Sequence, residues 1–161
     1  MSLLNMDTIT IKWSGPHKLT EATPWEEGGA IGLYIVLQDH NDVVYVGKAN
    51  AKKGAMARAR SHRQKYFRRR NMRGLHYDES TAEVYTGHVA PSDISMIELA
   101  EHLLISYLYR TQGHQMVNAQ KLYYEWKRPL RIINEAETSG TLMGRVPPCL
   151  AKEVQSPSEP F

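Results

Sequence analysis

Hydrophobic and polar residues alternate or cluster in patterns that predict short strands in the N-terminal part of the chain. Residues 8–13 (TITIKW) alternate branched and polar side chains, which is typical of a short strand. Two apolar runs, AIGLYIVLQ and VVYVG, flank the turn sequence DHND and predict a mostly buried β-hairpin. The later segment TAEVYTGHVA fits a third strand that follows this hairpin.

The segment PSDISMIELAEHLLISYLYRTQG carries the clearest helical pattern. We expect Ser92 to cap this helix, Asp93 to favour its first turn, and Gly113 to end it. Glu98 and Glu101 lie one turn apart beside the apolar stripe. The stripe consists of five residues at helical spacing: Ile97, Ala100, Leu104, Tyr107 and Leu108.

An earlier helix is predicted from about Ala55 to Arg70, where Ala, Met, Arg, Lys and Gln predominate, with a stop near Gly74. Its apolar face is thin, so much of it should face solvent or a ligand. The segment QKLYYEWKRPLRIIN mixes basic and aromatic residues and fits a further helix or strand. From Pro147 onward the composition is rich in Pro, Ser and Glu, which predicts a mobile tail.

A chain of 161 residues with 42% hydrophobic residues is sufficient for one domain with its own core. We therefore divide it into an N-terminal strand and connection (1–29), a central domain (30–120), a C-terminal extension packed on that domain (121–146) and the predicted tail (147–161).

Composition narrows the function classes and the compartment. Cys149 is the single cysteine, and no Cys/His cluster has zinc-ligand spacing, so the sequence indicates a reducing compartment and no structural zinc. The chain has no apolar run of about eighteen residues and no signal-peptide pattern at its start. We expect a soluble cytoplasmic protein without a membrane partner.

Positive charge is concentrated in one part of the chain. The formal net charge is only +3, but eleven of the twenty Lys and Arg residues fall between Lys48 and Arg73. No Asp or Glu occurs from Ala49 to Tyr77. Such a block repels itself unless a polyanion or the rest of the fold compensates it.

The hairpin carries the residues that suggest a specific chemistry. The sequence VGKAN is not a Walker A loop, because Ala49 follows the lysine and the required upstream glycine is missing. Aromatic residues favour strands, so a hairpin standing alone would explain Tyr34 and Tyr45 structurally. It is followed, however, by a helical arginine, by Glu101 in ELAEHLLI and by Asn118 in MVNAQ.

This order resembles the GIY-YIG nuclease family: GLY at 32–34, ten residues, YVG at 45–47, a lysine, a helical arginine, a helical glutamate and a later asparagine. The resemblance covers about residues 30–120. It implies an α/β fold in which a small, mainly antiparallel sheet of about three strands is flanked by helices. Leu33 and Val46 replace the usual isoleucines, which are mild apolar exchanges.

The position of the arginine leaves two assignments open. Arg58 lies about three residues further from the glycine than in compact members of the family, so Arg60 competes with it. We prefer Arg58, because His62 follows it by four residues and shares its helix face.

The resemblance implies a role for each site residue. Tyr34 would be the general base for the attacking water, assisted by Tyr45, Lys48 or His62, since nearby cations must lower the pKa of a tyrosine. Arg58 would clamp phosphate oxygens through its planar guanidinium.

Glu101 would bind one Mg²⁺, or Mn²⁺ in its place, and that ion would stabilise the leaving oxygen. Asn118 would hold the site or the substrate by hydrogen bonds.

Plainer interpretations compete with several of these roles. His62 is as consistent with a surface histidine as with a catalyst. Glu101 is also consistent with a solvated acid on a helix, as we interpret Glu98, and Asn118 is also consistent with a residue that caps a turn. The basic cluster is consistent with a solvated helix face, but its position after the presumed catalytic helix favours contact with a nucleic-acid backbone. That cluster consists of Lys65, Arg68, Arg69, Arg70 and Arg73.

The sequence thus predicts a Mg²⁺-dependent DNA endonuclease, most similar to small restriction-type or phage members of the family. The alternatives are a structure-specific repair nuclease and a nucleic-acid-binding module that has lost catalysis. Cleavage of both strands by a single-site enzyme would suggest a homodimer. The sequence does not decide the recognition site, duplex against branched DNA, DNA against RNA, oligomeric state or pathway.

Overall fold

A computed structural model describes residues 6–18, 32–38, 42–49, 82–90, 93–112, 129–138 and 144–156. Six strands and one helix lie in these ranges. In chain order they are β1 Asp7–Lys18, β2 Gly32–Gln38, β3 Asp42–Ala49, β4 Glu83–Ala90, α1 Ile94–Gln112, β5 Leu130–Ala136 and β6 Glu153–Gln155.

All six strands join one mixed sheet in the order β3-β2-β4-β1-β5-β6. Strand β2 pairs antiparallel with β3 and with β4, and β4 pairs antiparallel with β1. Strands β1 and β5 are parallel, and β6 closes the other edge antiparallel to β5. The hairpin strand β3 therefore forms one edge of the sheet, and β2 is flanked on both sides.

The predicted fold class is wrong. We expected a mainly antiparallel sheet of about three strands flanked by helices, whereas the described residues form a six-stranded mixed sheet with one helix. The predicted strands themselves are confirmed, including the hairpin. The error arises because β1 pairs with both β4 and β5, which extends the sheet beyond the three strands β3, β2 and β4.

The C-terminal segment also differs from the prediction. Residues 147–156 were expected to form part of a mobile tail, but they contribute β6 and the buried side chains of Leu150, Val154 and Ser156. Ser156 Oγ accepts a hydrogen bond from the backbone N–H of Leu130 at 2.8 Å, and its own N–H donates to the carbonyl of Leu130 at 2.9 Å. These bonds fasten the segment along β5.

A buried polar contact joins β1, β5 and the C-terminal segment. Trp13 Nε1 donates to Asn134 Oδ1 at 2.8 Å, and Asn134 Nδ2 donates to the carbonyl of Ala151 at 2.8 Å. Trp13 and Asn134 are both buried, so their hydrogen bond favours this one register of β5 beside β1; Ala151 at the other end of the amide is exposed.

The main core lies between one face of the sheet and α1. Alternate residues of each strand face this core, as the two-residue period of a strand requires. Strand β2 supplies Leu33, Ile35 and Leu37. The core also contains helix residues at helical spacing, namely Ile97, Ala100, Leu103, Leu104, Ile105 and Leu108, which confirms most of the predicted stripe.

The helix begins one residue later than predicted. Asp93 Oδ1 accepts hydrogen bonds from the Ser95 N–H at 2.8 Å and from the Ser95 hydroxyl at 2.7 Å, so Asp93 is the N-cap. The Ser95 hydroxyl and backbone bonds hold the pKa of Asp93 below its usual value. Ser92, the predicted cap, and Gly113, the predicted stop, lie outside the described residues.

No helix in the described ranges is sufficiently long and apolar to span a membrane. The expectation of a cytoplasmic location stays a prediction, as do the domain boundaries proposed before residue 147. The predicted helix at residues 55–70 lies outside the described residues.

Candidate functional site

Four of the predicted site residues lie in the described part of the chain. Tyr34 is on β2, Tyr45 and Lys48 are on β3, and Glu101 is on α1. The remaining predicted residues lie outside it, so their roles stay predictions: Arg58, its competitor Arg60, His62, Asn118, and the basic cluster Lys65, Arg68, Arg69, Arg70 and Arg73.

Tyr34 and Tyr45 are packed against each other across the hairpin. Their ring centroids are 5.7 Å apart with an interplanar angle of 30°, which is a stacked arrangement. The Tyr34 side chain is fully buried, and Tyr45 is half-buried. The sequence motif therefore places both tyrosines in one contact, with Tyr45 on the more accessible side.

Gly47 provides the space that this arrangement needs. Gly47 lies directly opposite Tyr34 in the β2–β3 register. A Cβ atom at position 47 would lie 2.5 Å from the Tyr34 hydroxyl oxygen and 2.6 Å from Tyr45 Cε1, closer than real Cβ atoms approach such neighbours. The glycine of the YVG motif is thus required here because the Tyr34 ring leans over the backbone of β3.

The tyrosine pair lies on the sheet face opposite the α1 core. Leu33, Ile35 and Leu37 of β2 face that core, so Tyr34 faces the other way. The same face continues across the sheet through a polar row. Thr86 on β4 lies opposite Tyr34, and Ser14 on β1 lies opposite Thr86.

Polar groups of this row are buried. Ser14 and Thr86 are both fully buried, and Ser14 Oγ is hydrogen bonded to His17 Nε2 at 2.9 Å. Thr86 Oγ1 has no hydrogen-bond partner among the described residues. A buried hydroxyl without a partner costs free energy, so this position is not optimised for stability.

Lys48 is in an ion pair with the helix. Its Nζ lies 2.5 Å from Glu98 Oε1, and the two side chains keep 38% and 50% of their surface exposed. Lys48 lies opposite Leu33 in the register, which puts its side chain on the core side of the hairpin. Within the described residues the ammonium contacts Glu98 and neither tyrosine, so its predicted action on Tyr34 stays a prediction.

Glu101 occupies an unusual position for a carboxylate. It lies one turn after Glu98, between Ile97 and Leu104 of the apolar stripe, and only 2% of its surface is exposed. A fully buried acidic side chain is rare unless it is paired or ligates a metal, because removing a charge from water is costly. The solvated-acid interpretation of Glu101 is therefore wrong.

The side chains that could ligate a metal are few in the described residues, which can be compared with the coordination that Mg²⁺ prefers. The described residues contain no group of three or more His, Cys, Asp or Glu side chains placed to hold a metal ion. Mg²⁺ usually keeps several waters and is held by one or two carboxylates together with substrate phosphate oxygens. One carboxylate is the number that this mode of binding needs, but Glu101 is buried as described, so an ion with its waters would reach it only if the side chain became accessible.

These residues lie on one hairpin and one helix, but on two faces of the sheet: the tyrosine pair faces away from α1, whereas Lys48, Glu98 and Glu101 lie on the α1 side. The β2–β3 hairpin carries the tyrosine pair and Lys48, and α1 contacts that hairpin through Glu98, one turn before Glu101. Glu98 was interpreted as a plain solvated acid and is in fact an ion-pair partner. Its charge, opposite to that of Lys48, was visible in the sequence, but the docking of α1 on β3 was not.

His17 and Ser14 were also missed. Both belong to the predicted N-terminal strand, yet no sequence pattern pairs them, because the contact depends on an irregularity of β1 between Ser14 and His17. Gly15 within this irregularity has φ 126°, a conformation that residues with a side chain rarely adopt.

Comparisons of the chain with protein-family models, with curated proteins and with solved structures give no match.

Proposed function

We propose that this chain is a metal-dependent endonuclease that hydrolyses phosphodiester bonds in DNA, with its active site formed by the β2–β3 hairpin and α1. The observation that most supports the proposal is the stacked pair of Tyr34 and Tyr45 over Gly47 on the hairpin; Glu101 is buried on α1, which packs on the other face of that hairpin. The motif resemblance to GIY-YIG nucleases supplies the reaction.

The tyrosines are suited to proton transfer at a fixed position. A ring packed over Gly47 and against Tyr45 has little rotational freedom, so its hydroxyl is held without further ordering when substrate binds. In the proposal Tyr34 accepts a proton from the attacking water, and Tyr45 fixes the orientation of the ring.

Glu101 would hold the divalent cation, which when bound supplies positive charge for the oxygen that leaves the phosphate. The carboxylate alone leaves most coordination positions to water and to phosphate oxygens, in keeping with Mg²⁺. Lys48, which remains partly exposed, supplies a second positive charge near the hairpin edge.

Two predicted parts of the site outside the described residues complete the proposal. An arginine, Arg58 or Arg60, would clamp the phosphate, and Asn118 would add a hydrogen bond. Alanine replacements separate the two arginines: loss of cleavage in Arg60→Ala with cleavage retained in Arg58→Ala would reverse our assignment. Charge reversal in the basic cluster should weaken DNA binding and its salt dependence.

The proposal is tested by cleavage of supercoiled plasmid with Mg²⁺ or Mn²⁺. We compare the wild type with Glu101→Gln, which preserves shape and removes the charge, and with wild type in EDTA. Glu135→Gln is the matched control, because Glu135 is an exposed carboxylate on β5, three strands away from β2 towards the opposite edge of the sheet. Thermal unfolding of each variant verifies that it is folded.

Cleavage by the wild type and by Glu135→Gln that is lost in Glu101→Gln and in EDTA would support the proposal. Equal cleavage by Glu101→Gln would remove Glu101 from the site and overturn the proposal. Cleavage of branched substrates alone would favour a structure-specific repair nuclease. DNA binding without cleavage of any substrate would favour the non-catalytic binding module.

A further inference from the structure

The Lys48–Glu98 ion pair lies at the edge of the sheet next to the proposed site. Lys48 is near the end of β3, which is an edge strand, and Glu98 is in the first turns of α1, one turn before Glu101. Both side chains are partly exposed. A nucleic-acid backbone that approaches this edge therefore meets the exposed ion pair, whereas Glu101 is buried behind it on α1.

The pair is easily exchanged. Ion pairs with this degree of exposure contribute little to stability, because water and salt screen the attraction and two long side chains lose freedom. A phosphate oxygen offers the ammonium the same kind of charged acceptor as a carboxylate oxygen. When the Lys48 ammonium binds a DNA phosphate, counterions are released from the DNA. Pairing of the same ammonium with a carboxylate of the protein releases none.

We propose that Glu98 is a positioning residue that occupies the Lys48 ammonium in the unliganded protein and is replaced there by a phosphate oxygen of the nucleic-acid backbone. This inference rests on the proposed function, and it assigns to Glu98 a role that the motif resemblance does not contain. Glu98 competes with phosphate for the Lys48 ammonium and thereby lowers the affinity of the site for phosphate groups.

The inference predicts that removal of the Glu98 charge strengthens DNA binding. With the competing carboxylate gone, phosphate no longer has to displace it, so Kd should fall about two- to fivefold, the range that an exposed ion pair covers. The part of the effect that passes through the Lys48 ammonium should disappear when Lys48 is replaced. A carboxylate with a purely structural role would show no such dependence.

The experiment measures Kd of a short DNA duplex in EDTA at about 0.1 M salt, so that no cleavage occurs. Glu98→Gln is compared with wild type and with Glu135→Gln, which removes the same charge far from the hairpin. The Debye length is about 10 Å, so salt screens the effect of the charge at position 135 on DNA bound at the hairpin. The same two substitutions are then made in a Lys48→Gln background, which completes a double-mutant cycle.

Tighter binding by Glu98→Gln that is smaller in the Lys48→Gln background, and absent in Glu135→Gln, would support the inference. If wild type binds and cuts DNA but Glu98→Gln binds no more tightly than Glu135→Gln, the inference is wrong while the proposed function stands. Weaker binding by Glu98→Gln would also overturn it, because Glu98 would then hold Lys48 ready for substrate. If no variant binds duplex, the proposed function fails and the inference fails with it.

Discussion

Substitution of Gly47 by alanine tests whether the tyrosine pair belongs to an active site. The added methyl group would lie within 2.5 Å of the Tyr34 hydroxyl oxygen and 2.6 Å of Tyr45 Cε1. Since β3 is an edge strand, its backbone and both rings can shift to relieve the clash, and we therefore expect a folded protein in which Tyr34 is displaced.

The loss of stability expected in Gly47→Ala follows from overpacking. Extra methyl groups in well-packed sites destabilise by about 1–3 kcal/mol. For a chain of this size that corresponds to a decrease in Tm of about 3 to 9 °C. Gly87→Ala is a matched control on β4, because a Cβ there would lie 2.6 Å from Ile11 Cγ2 and 2.9 Å from Trp13 Cζ3, on the core face and away from the tyrosines.

Both variants should therefore lose stability by similar amounts, but only Gly47→Ala should lose cleavage at a temperature where both are folded. The measurements are Tm by circular dichroism and plasmid cleavage about 20 °C below the lower Tm. Equal cleavage by the two variants would refute the reasoning, since displacement of the Tyr34 hydroxyl would then have no catalytic consequence. An unchanged Tm in Gly47→Ala would refute the packing argument itself.

Three further predictions concern individual groups. Thr86→Val should raise the unfolding free energy by about 1 kcal/mol, measured by urea titration, because it removes a buried hydroxyl that has no partner among the described residues. Asp93→Ala should lower Tm at pH 7, and the difference in Tm from wild type should shrink in acid. The pKa of Asp93 is lower in the folded than in the unfolded protein, so the cap stabilises the fold above the unfolded pKa near 3.9. This stabilisation is lost as pH falls through the folded pKa. Burial raises the pKa of Cys149 to about 12, so at pH 8 its thiol should react with a disulfide reagent on the order of a thousandfold more slowly in the native than in the denatured protein; similar rates would contradict its burial.

Local patterns were sufficient to predict the hairpin and the long helix. The runs around DHND and the stripe that begins at Ile97 each contain the information within about twenty residues, because pairing and amphipathicity there are local. The N-terminal strand was also predicted, although its partners were not. The cap was assigned to Ser92 in place of Asp93, since both residue types accept from helix N–H groups.

The extent of the sheet could not be predicted in the same way. Strand β5 pairs in parallel with β1, which joins Ile9 to Ile132 across most of the chain, and parallel pairing leaves no turn signal in the sequence. Strand β6 has one buried side chain, Val154, in a Pro- and Ser-rich segment, so its composition resembles that of a loop. Its pairing with β5 is apparent only in the fold.

The candidate site also has parts that local sequence patterns predict and parts that depend on long-range contacts. Tyr34, Tyr45 and Gly47 follow from one short motif in a local hairpin, and the sequence predicted the tyrosines as site residues. The contact between Lys48 and Glu98 joins positions fifty residues apart and depends on how α1 docks on β3. Helix periodicity alone left the burial of Glu101 open, because a carboxylate beside a stripe faces solvent in most helices.

The strands that the predicted fold class left out lie at the end of the sheet away from the proposed site. The strands that the prediction left out of the sheet follow β4 in the order β1, β5 and β6, whereas the tyrosine pair and Lys48 lie on β2 and the edge strand β3. At about 4.8 Å between neighbouring strands, β5 is roughly 19 Å from β3, beyond the reach of any side chain of the hairpin. The site hypothesis therefore depends on β2, β3 and α1, and the experiments on Gly47, Glu98 and Glu101 test those three elements without reference to the rest of the sheet.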